Sequence, residues 1–196
     1  MCIRDSEYPR FRMNDDREVS CWWLLTEHLA GRDVQVAARQ AWFAQRELDD
    51  GCNMLGTAMV DAHRFAADDV WRKARLSVEA NRPAAARAAV GLLGNALARD
   101  VAEALDNPQR FLRRTVAGTT SARQELKLLA ILRMAASDVE SATGELDGLA
   151  RNGLSPALAA WAWASMGRQA ALKLAPEAAS HYQRAWSLLS PTQARW

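Results

Sequence analysis

The sequence predicts an all-α fold built from repeated helical hairpins. Strand signals are nearly absent, with two isoleucines in the chain and no alternating run of β-branched residues. Ala, Leu, Arg, Gln and Glu, all strong helix formers, dominate. Helix starts and stops recur at short intervals, giving about eleven helices of roughly 8 to 18 residues, in pairs that return about every 30 to 35 residues. Each pair buries its apolar face only against the next. That predicts an α-solenoid, or superhelix, of degenerate repeats. A compact helical bundle is the competing architecture.

At 196 residues the chain has room for one domain or a run of small repeats. A hydrophobic fraction of 49% with 24% charged residues is that of a folded chain, not a disordered one. The net charge of +2 is small, and basic residues alternate with acidic ones. A nucleic-acid or anionic-membrane surface needs clustered Lys and Arg, so neither partner is expected. No apolar run approaches the roughly 20 residues that span a bilayer.

Met1 to Ser6 resembles a translated sequencing-adapter scar and is set apart from the fold. Residues 7–19, with Pro9 and many charges, read as a frayed lead-in, and 21–196 as the helical domain, truncated at both ends. The absence of a signal peptide then carries no information on compartment. Cys21 to Ala30 is a short helix ended by Gly31. Asp33 to Leu48 follows, with Val36, Gln40 and Phe43 on one line and Trp42 beside them. Asp49-Asp50-Gly51 breaks it. Asn53 to His63 and Ala67 to Glu79 form the next hairpin, with Val70, Ala74 and Val78 on one face.

Asn81-Arg82-Pro83 stops that helix and starts another, since Asn tolerates the left-handed position and Pro suits a first turn. Pro83 to Leu93 and Ala96 to Leu105 follow, then a short segment from Gln109 to Val116 opened by Asn107-Pro108. Gly118-Thr119-Thr120 is a turn. Ser121 to Gln124 and Ser137 to Glu140 each fit a capping box. Between them Leu126 to Ala136 is apolar nearly all round, which predicts a helix packed on several sides. Ser155-Pro156 and Ala175-Pro176 open the last two helices, the final one striped by Ala178, Tyr182, Ala185 and Leu189.

No constellation of catalytic residues emerges, and no cofactor or metal is implied. Asp61-x-His63 lacks a third ligand nearby, and Asp68-Asp69 fits a first helical turn, where acids favour the helix dipole. His28 and His181 stand alone. Of Trp22-Trp23 and Trp161-x-Trp163, one ring of each pair is expected in the core and the other half exposed. Glu140 beside Ser141 reads as the far half of a capping box. Gly91 and Gly94 lie in helical sequence and make no dinucleotide fingerprint. Cys21 and Cys52 sit at equivalent places in successive hairpins. Two readings stay open for them: a structural disulfide, or two buried thiols.

From Cys52 onward the order of features becomes specific. A Cys opens a helix, Trp71 and Arg75 follow four residues apart, and a small-residue helix ends at Asn81. Then come an Ala/Leu helix pair, Asp106-Asn107-Pro108, Arg123 ahead of an apolar helix, and the Trp-bearing helix at 161–163. With the earlier Cys21 hairpin and Trp42, this order resembles the α-superhelical domain of the soluble lytic murein transglycosylases, over roughly Cys21 to Trp196. The resemblance implies a periplasmic protein. It also implies a lysozyme-like catalytic domain, C-terminal to the solenoid, that cleaves peptidoglycan to 1,6-anhydro ends with one Glu as acid and base. That Glu stands in a Glu-Ser motif followed by Gly-Ala-x-Gly-Leu-Met-Gln. The second part has no counterpart here and Glu140-Ser141 lies in the wrong region, so no catalytic residue carries over. The family's paired solenoid cysteines match Cys21 and Cys52, which favours the disulfide. The expected role is non-catalytic: a segment that shapes or holds glycan strands for the absent domain, with Arg72, Arg75, Arg110, Arg113 and Arg114 as candidate glycan-facing residues. A tetratricopeptide-like scaffold for a protein partner is the alternative, and a self-contained helical enzyme ranks last.

Overall fold

The computed structural model describes residues 16–114 and 120–189. The adapter-like start, most of the lead-in, the turn at Gly118-Thr119 and the tail from Pro191 lie outside them. Within the described residues the chain forms eleven α-helices and no strand, the all-α fold the sequence predicts. It makes two compact units, Met1–Ala98 and Arg99–Trp196. In the first lie α1 (Arg17–Leu29), α2 (Gln35–Ala44), α3 (Asp50–Asp61), α4 (Ala67–Glu79) and α5 (Pro83–Gly91). The boundary falls inside α6 (Asn95–Asp106). The second holds α7 (Pro108–Arg114), α8 (Ser121–Ala135), α9 (Val139–Asn152), α10 (Pro156–Leu172) and α11 (Ala178–Ser187).

Short polar side chains start five of the eleven helices described. Asp16, Asp49, Thr120, Asp138 and Ser155 each accept a hydrogen bond from a backbone N–H three residues on. The lead-in is therefore shorter than expected, because Asp16 caps a helix that already includes residues 17–19. Asp49 likewise begins α3 where a break was expected, and α2 stops at Ala44 rather than Leu48. The two expected capping boxes are replaced by simple caps. Thr120, not Ser121, caps α8, and Asp138 caps α9 by accepting from the Ser141 N–H. Helix ends use one device repeatedly. Gly31, His63, Asn81 and Leu174 adopt left-handed backbone with φ of 80°, 55°, 58° and 54°. In each case the next N–H turns back to a carbonyl of the final helical turn, as Arg82 N–H does to Ser77 at 2.8 Å.

Packing follows a rule: a helix stacks on the helix two places before it. In the first unit α3 packs on α1, α4 on α2 and α5 on α3; in the second α10 packs on α8. Links between stacked elements recur at the repeat length. Cys21 joins Cys52 at a separation of 31, Arg39 pairs with Asp69 at 30, Lys73 reaches the Trp42 carbonyl at 31, and Gln124 accepts from the Ser155 N–H at 31. Within each unit this is solenoid-like stacking of hairpins. The segment expected to be packed on several sides is so: α8 meets α7, α9 and α10, and Leu128, Leu129, Ala130 and Ile131 are fully enclosed.

The core of the first unit gathers Leu24, Leu25, Ala38, Trp42, Leu55, Met59, Phe65 and Val70. On α2 the buried line is Ala38 and Trp42, whereas Val36 and Gln40 face solvent, so the expected line through 36, 40 and 43 was displaced around the helix. Helices approach closely where α3 carries glycine. A Cβ at Gly56 would meet the Trp42 indole at 2.6 Å, and one at Gly51 would meet Trp22 and the Glu18 backbone oxygen at 2.8 Å.

This close approach makes Gly56→Ala destabilising by roughly 1–3 kcal/mol, because the enclosed indole has no room to retreat. Gly144→Ala on α9, where nothing lies within 4 Å, is the control and is expected to be neutral or stabilising by up to about 1 kcal/mol. Urea unfolding followed by tryptophan fluorescence compares the two.

Candidate functional site

The densest cluster of buried polar groups described in the first unit surrounds the C-terminus of α2. Four carbonyls there lose their intrahelical partners and present the negative end of the helix dipole. The Gln45 N–H bonds to Ala41 at 3.1 Å. Arg17, from α1, donates to the Ala44 carbonyl at 2.8 Å. Lys73, from α4, donates to the Trp42 carbonyl at 2.7 Å and to the Gln45 carbonyl, and its ammonium lies 5.7 Å from the centre of the Trp42 ring. The Gln45 amide in turn donates to Asp49, whose other oxygen accepts the Cys52 N–H at 2.7 Å. Cys52 is bonded to Cys21 of α1, with S–S 2.05 Å and Cα atoms 4.9 Å apart. The termini of α2 and α3, α4 and the side of α1 are thus tied at one place. Arg39 adds a second tie from α2 to α4 through both oxygens of Asp69, at 2.8 and 3.1 Å. Asp69 also accepts from the Ala66 N–H, which confirms its place in a first helical turn.

Lys73 is only 4% exposed. Burial, with repulsion from Arg46 and Arg17 against attraction from Asp49, lowers its pKa from 10.5 to about 8. A lysine so depressed meets one requirement for a nucleophile or general base. The other requirement, access, is missing. The adjoining cavity, bounded by Trp42, Asp49, Cys52, Lys73 and Ala89, offers about 10 Å³. That is room for about one water molecule and for no organic substrate. The cluster is a structural tie. Nothing in the sequence reading singled out Lys73, although a signal existed: it falls within the stripe of Val70, Ala74 and Val78, where a charged residue must find partners.

In the second unit the corresponding feature is Trp163. His181 stacks on it at 5.4 Å and Arg184 lies over the ring at 4.5 Å, while Arg184 also pairs with Asp147 of α9 at 2.9 Å. His181, expected to stand alone, is therefore buried in the α10–α11 hairpin. Its Nδ1 has no hydrogen-bond partner among the described residues. Burial first, then Arg184, depresses its pKa, opposed by Glu177 and Asp147.

The candidate glycan-facing arginines do not form one set. Arg72 is exposed and lies over the Phe43 ring at 5.0 Å, but Arg75 is buried, 8% exposed, and is withdrawn as a glycan-facing residue. Arg110, Arg113 and Arg114 share α7 and are exposed, with Arg114 paired to Glu103 of α6. Asp61 and His63 are exposed, and among the described residues no three His, Cys, Asp or Glu gather as metal ligands would. Trp163 is buried beside a half-exposed Trp161, as expected, whereas Trp22 and Trp23 are both half-buried. Glu140 and Ser141 are exposed. No described helix is long and apolar enough to cross a membrane. Compared with known proteins, the chain matches no family and no curated sequence.

Two outcomes follow. The unfolded chain keeps the Lys73 proton that the folded chain releases between about pH 8 and pH 10.5. Stability therefore rises with pH through that window, by up to about 3 kcal/mol, and the gain is lost as pH falls to the folded pKa. Lys73→Met is expected to remove this rise, read as the difference between the urea midpoints of the two proteins at each pH. Replacing Cys21 and Cys52 together by Ala removes a link across 31 residues. The expected cost, roughly 3–4 kcal/mol in the loop-entropy account, is measurable by the same unfolding experiment.

Proposed function

We propose that this chain is a non-catalytic helical segment of a peptidoglycan-cleaving lytic transglycosylase, placed in the periplasm. Its role is to shape or hold glycan strands for a C-terminal catalytic domain that this chain does not contain. The observation that carries the reading is the Cys21–Cys52 bond, buried between successive stacked helices. Disulfides of this kind persist in oxidising compartments and are rare in reducing ones. The all-α stacking and the order of Cys, Trp, Asn-Pro and Trp-bearing helices support it further. The cationic residues for the anionic polymer are those of α7, above all Arg110 and Arg113.

A tetratricopeptide-like scaffold is the second reading. What favours it is an open groove of about 340 Å³ between α1 and α2, lined by Trp23, Leu24, Ala37, Gln40 and Ala41, a size that accepts peptide side chains.

Incubation with purified sacculi tests the first reading. The chain is expected to pellet with them without releasing anhydro-muropeptides, and Arg110→Glu with Arg113→Glu is expected to lower the pelleted fraction severalfold. Absence of pelleting removes the glycan-holding role, and release of anhydro-muropeptides removes the non-catalytic one. Mass spectrometry of the alkylated, non-reduced protein separates the second reading: labelled thiols at Cys21 and Cys52 in protein isolated from its native compartment favour the scaffold.

A further inference from the structure

The helix α11 is held by a small contact. Of its 10 residues, those buried are His181 and Ala185. His181 is the larger, 7% exposed, and its imidazole stacks on the buried Trp163 indole of α10 with centroids 5.4 Å apart. At the rim the Tyr182 ring lies over Gly167, and Arg184 pairs with Asp147 of α9 at 2.9 Å. An isolated helix this short is marginal in water even with good helix formers. α11 therefore depends on the place where His181 sits.

That place accepts the imidazole in one charge state. Nδ1 is buried and has no hydrogen-bond partner among the described residues. In a neutral ring protonated at Nε2 it is a bare acceptor that forgoes one hydrogen bond. Protonation makes it an N–H donor that carries part of a full charge, with nothing to receive it. The groups nearby are committed elsewhere. Arg184 already lies over the Trp163 ring at 4.5 Å, and Asp147 is paired with Arg184. Glu177, one turn earlier on the same side of the chain, is exposed, and α10 presents the uncharged indole. Burial first, and Arg184 second, hold the His181 pKa below its ordinary 6.5, against the pull of Glu177 and Asp147.

We infer that His181 is a pH-sensitive latch on the last hairpin: uncharged, it seats α11 on α10, and on protonation α11 detaches while α8, α9 and α10 stay folded. Detachment gives Nδ1 access to water and uncovers the Trp163 indole. The stability that the neutral ring gives to this contact is complete above about pH 6.5. It is lost as pH falls through the lower pKa of the folded state, because the detached helix binds the proton more readily.

Native-state hydrogen exchange of the whole chain, resolved by peptide and corrected for the pH dependence of the chemical step, tests this at about pH 7.5 and about pH 5. The expected result is a severalfold loss of amide protection in α11 at the lower pH, with protection in α8 unchanged. His181→Phe keeps a ring on Trp163 without a titrating nitrogen, and is expected to make α11 protection equal at the two pH values. If that variant fails to fold, the wild-type exchange and the titration of the His181 imidazole resonances decide, with a midpoint expected below about 6.5. The inference is overturned by wild-type α11 protection that does not change with pH, or by a loss spread evenly through α8 to α11. It is equally overturned by a pH-dependent loss that persists in His181→Phe, or by an imidazole that titrates at or above about 6.5.

Discussion

A helix that ends inside a protein must have its last carbonyls satisfied, and the first unit is organised around one such end. The C-terminus of α2 receives Arg17 from α1 and Lys73 from α4. Both are cations at the negative end of a helix dipole. Gln45 extends the network to Asp49, which caps α3, and Cys52 one turn on is bonded back to α1. Remove this place and the stacked helices keep their apolar contacts but lose what fixes their register. Burying Lys73 has an electrostatic cost, visible in its depressed pKa, and the carbonyl bonds offset it. The lysine specifies geometry more than it adds stability.

The same physics explains why the first unit is tightly packed around Lys73, where the adjoining cavity offers about 10 Å³. Glycines on α3 let Trp22 and Trp42 lie directly on the helix backbone, and the disulfide brings the Cα atoms of Cys21 and Cys52 to 4.9 Å. A buried lysine beside a 10 Å³ cavity has no chemistry to perform on a substrate.

The all-α class, the hairpin period and most helix starts were legible in the sequence, because caps, prolines and apolar spacing are local signals. Ser155, just ahead of Pro156, could be placed by inspection, whereas the box pattern at α9 pointed to Ser137, one residue before the cap that Asp138 provides. Asp49 could not be read as a cap, since Asp49-Asp50-Gly51 carries a stop signal as strong as its start signal, and only the hydrogen bond to Cys52 decides between them. The line on α2 was displaced because Val36 is apolar yet exposed, while Ala38, too small to weigh in a hydrophobic pattern, is fully buried under close packing. Arg75 illustrates the same limit, since charge suggests exposure but α4 is enclosed almost all round. The ties at Lys73, Arg39 and Arg184 were illegible for a different reason. Each joins residues about 30 or more apart, and their pairing follows from which helices stack.

Hydrogen exchange of the folded protein, resolved by peptide, gives the most direct test of the α2 terminus as the organising tie. In Lys73→Met the account predicts loss of amide protection in α1, α2 and the first turn of α3, with protection kept in α8 to α11. Unchanged protection at the end of α2, or a uniform loss through both units, would contradict it.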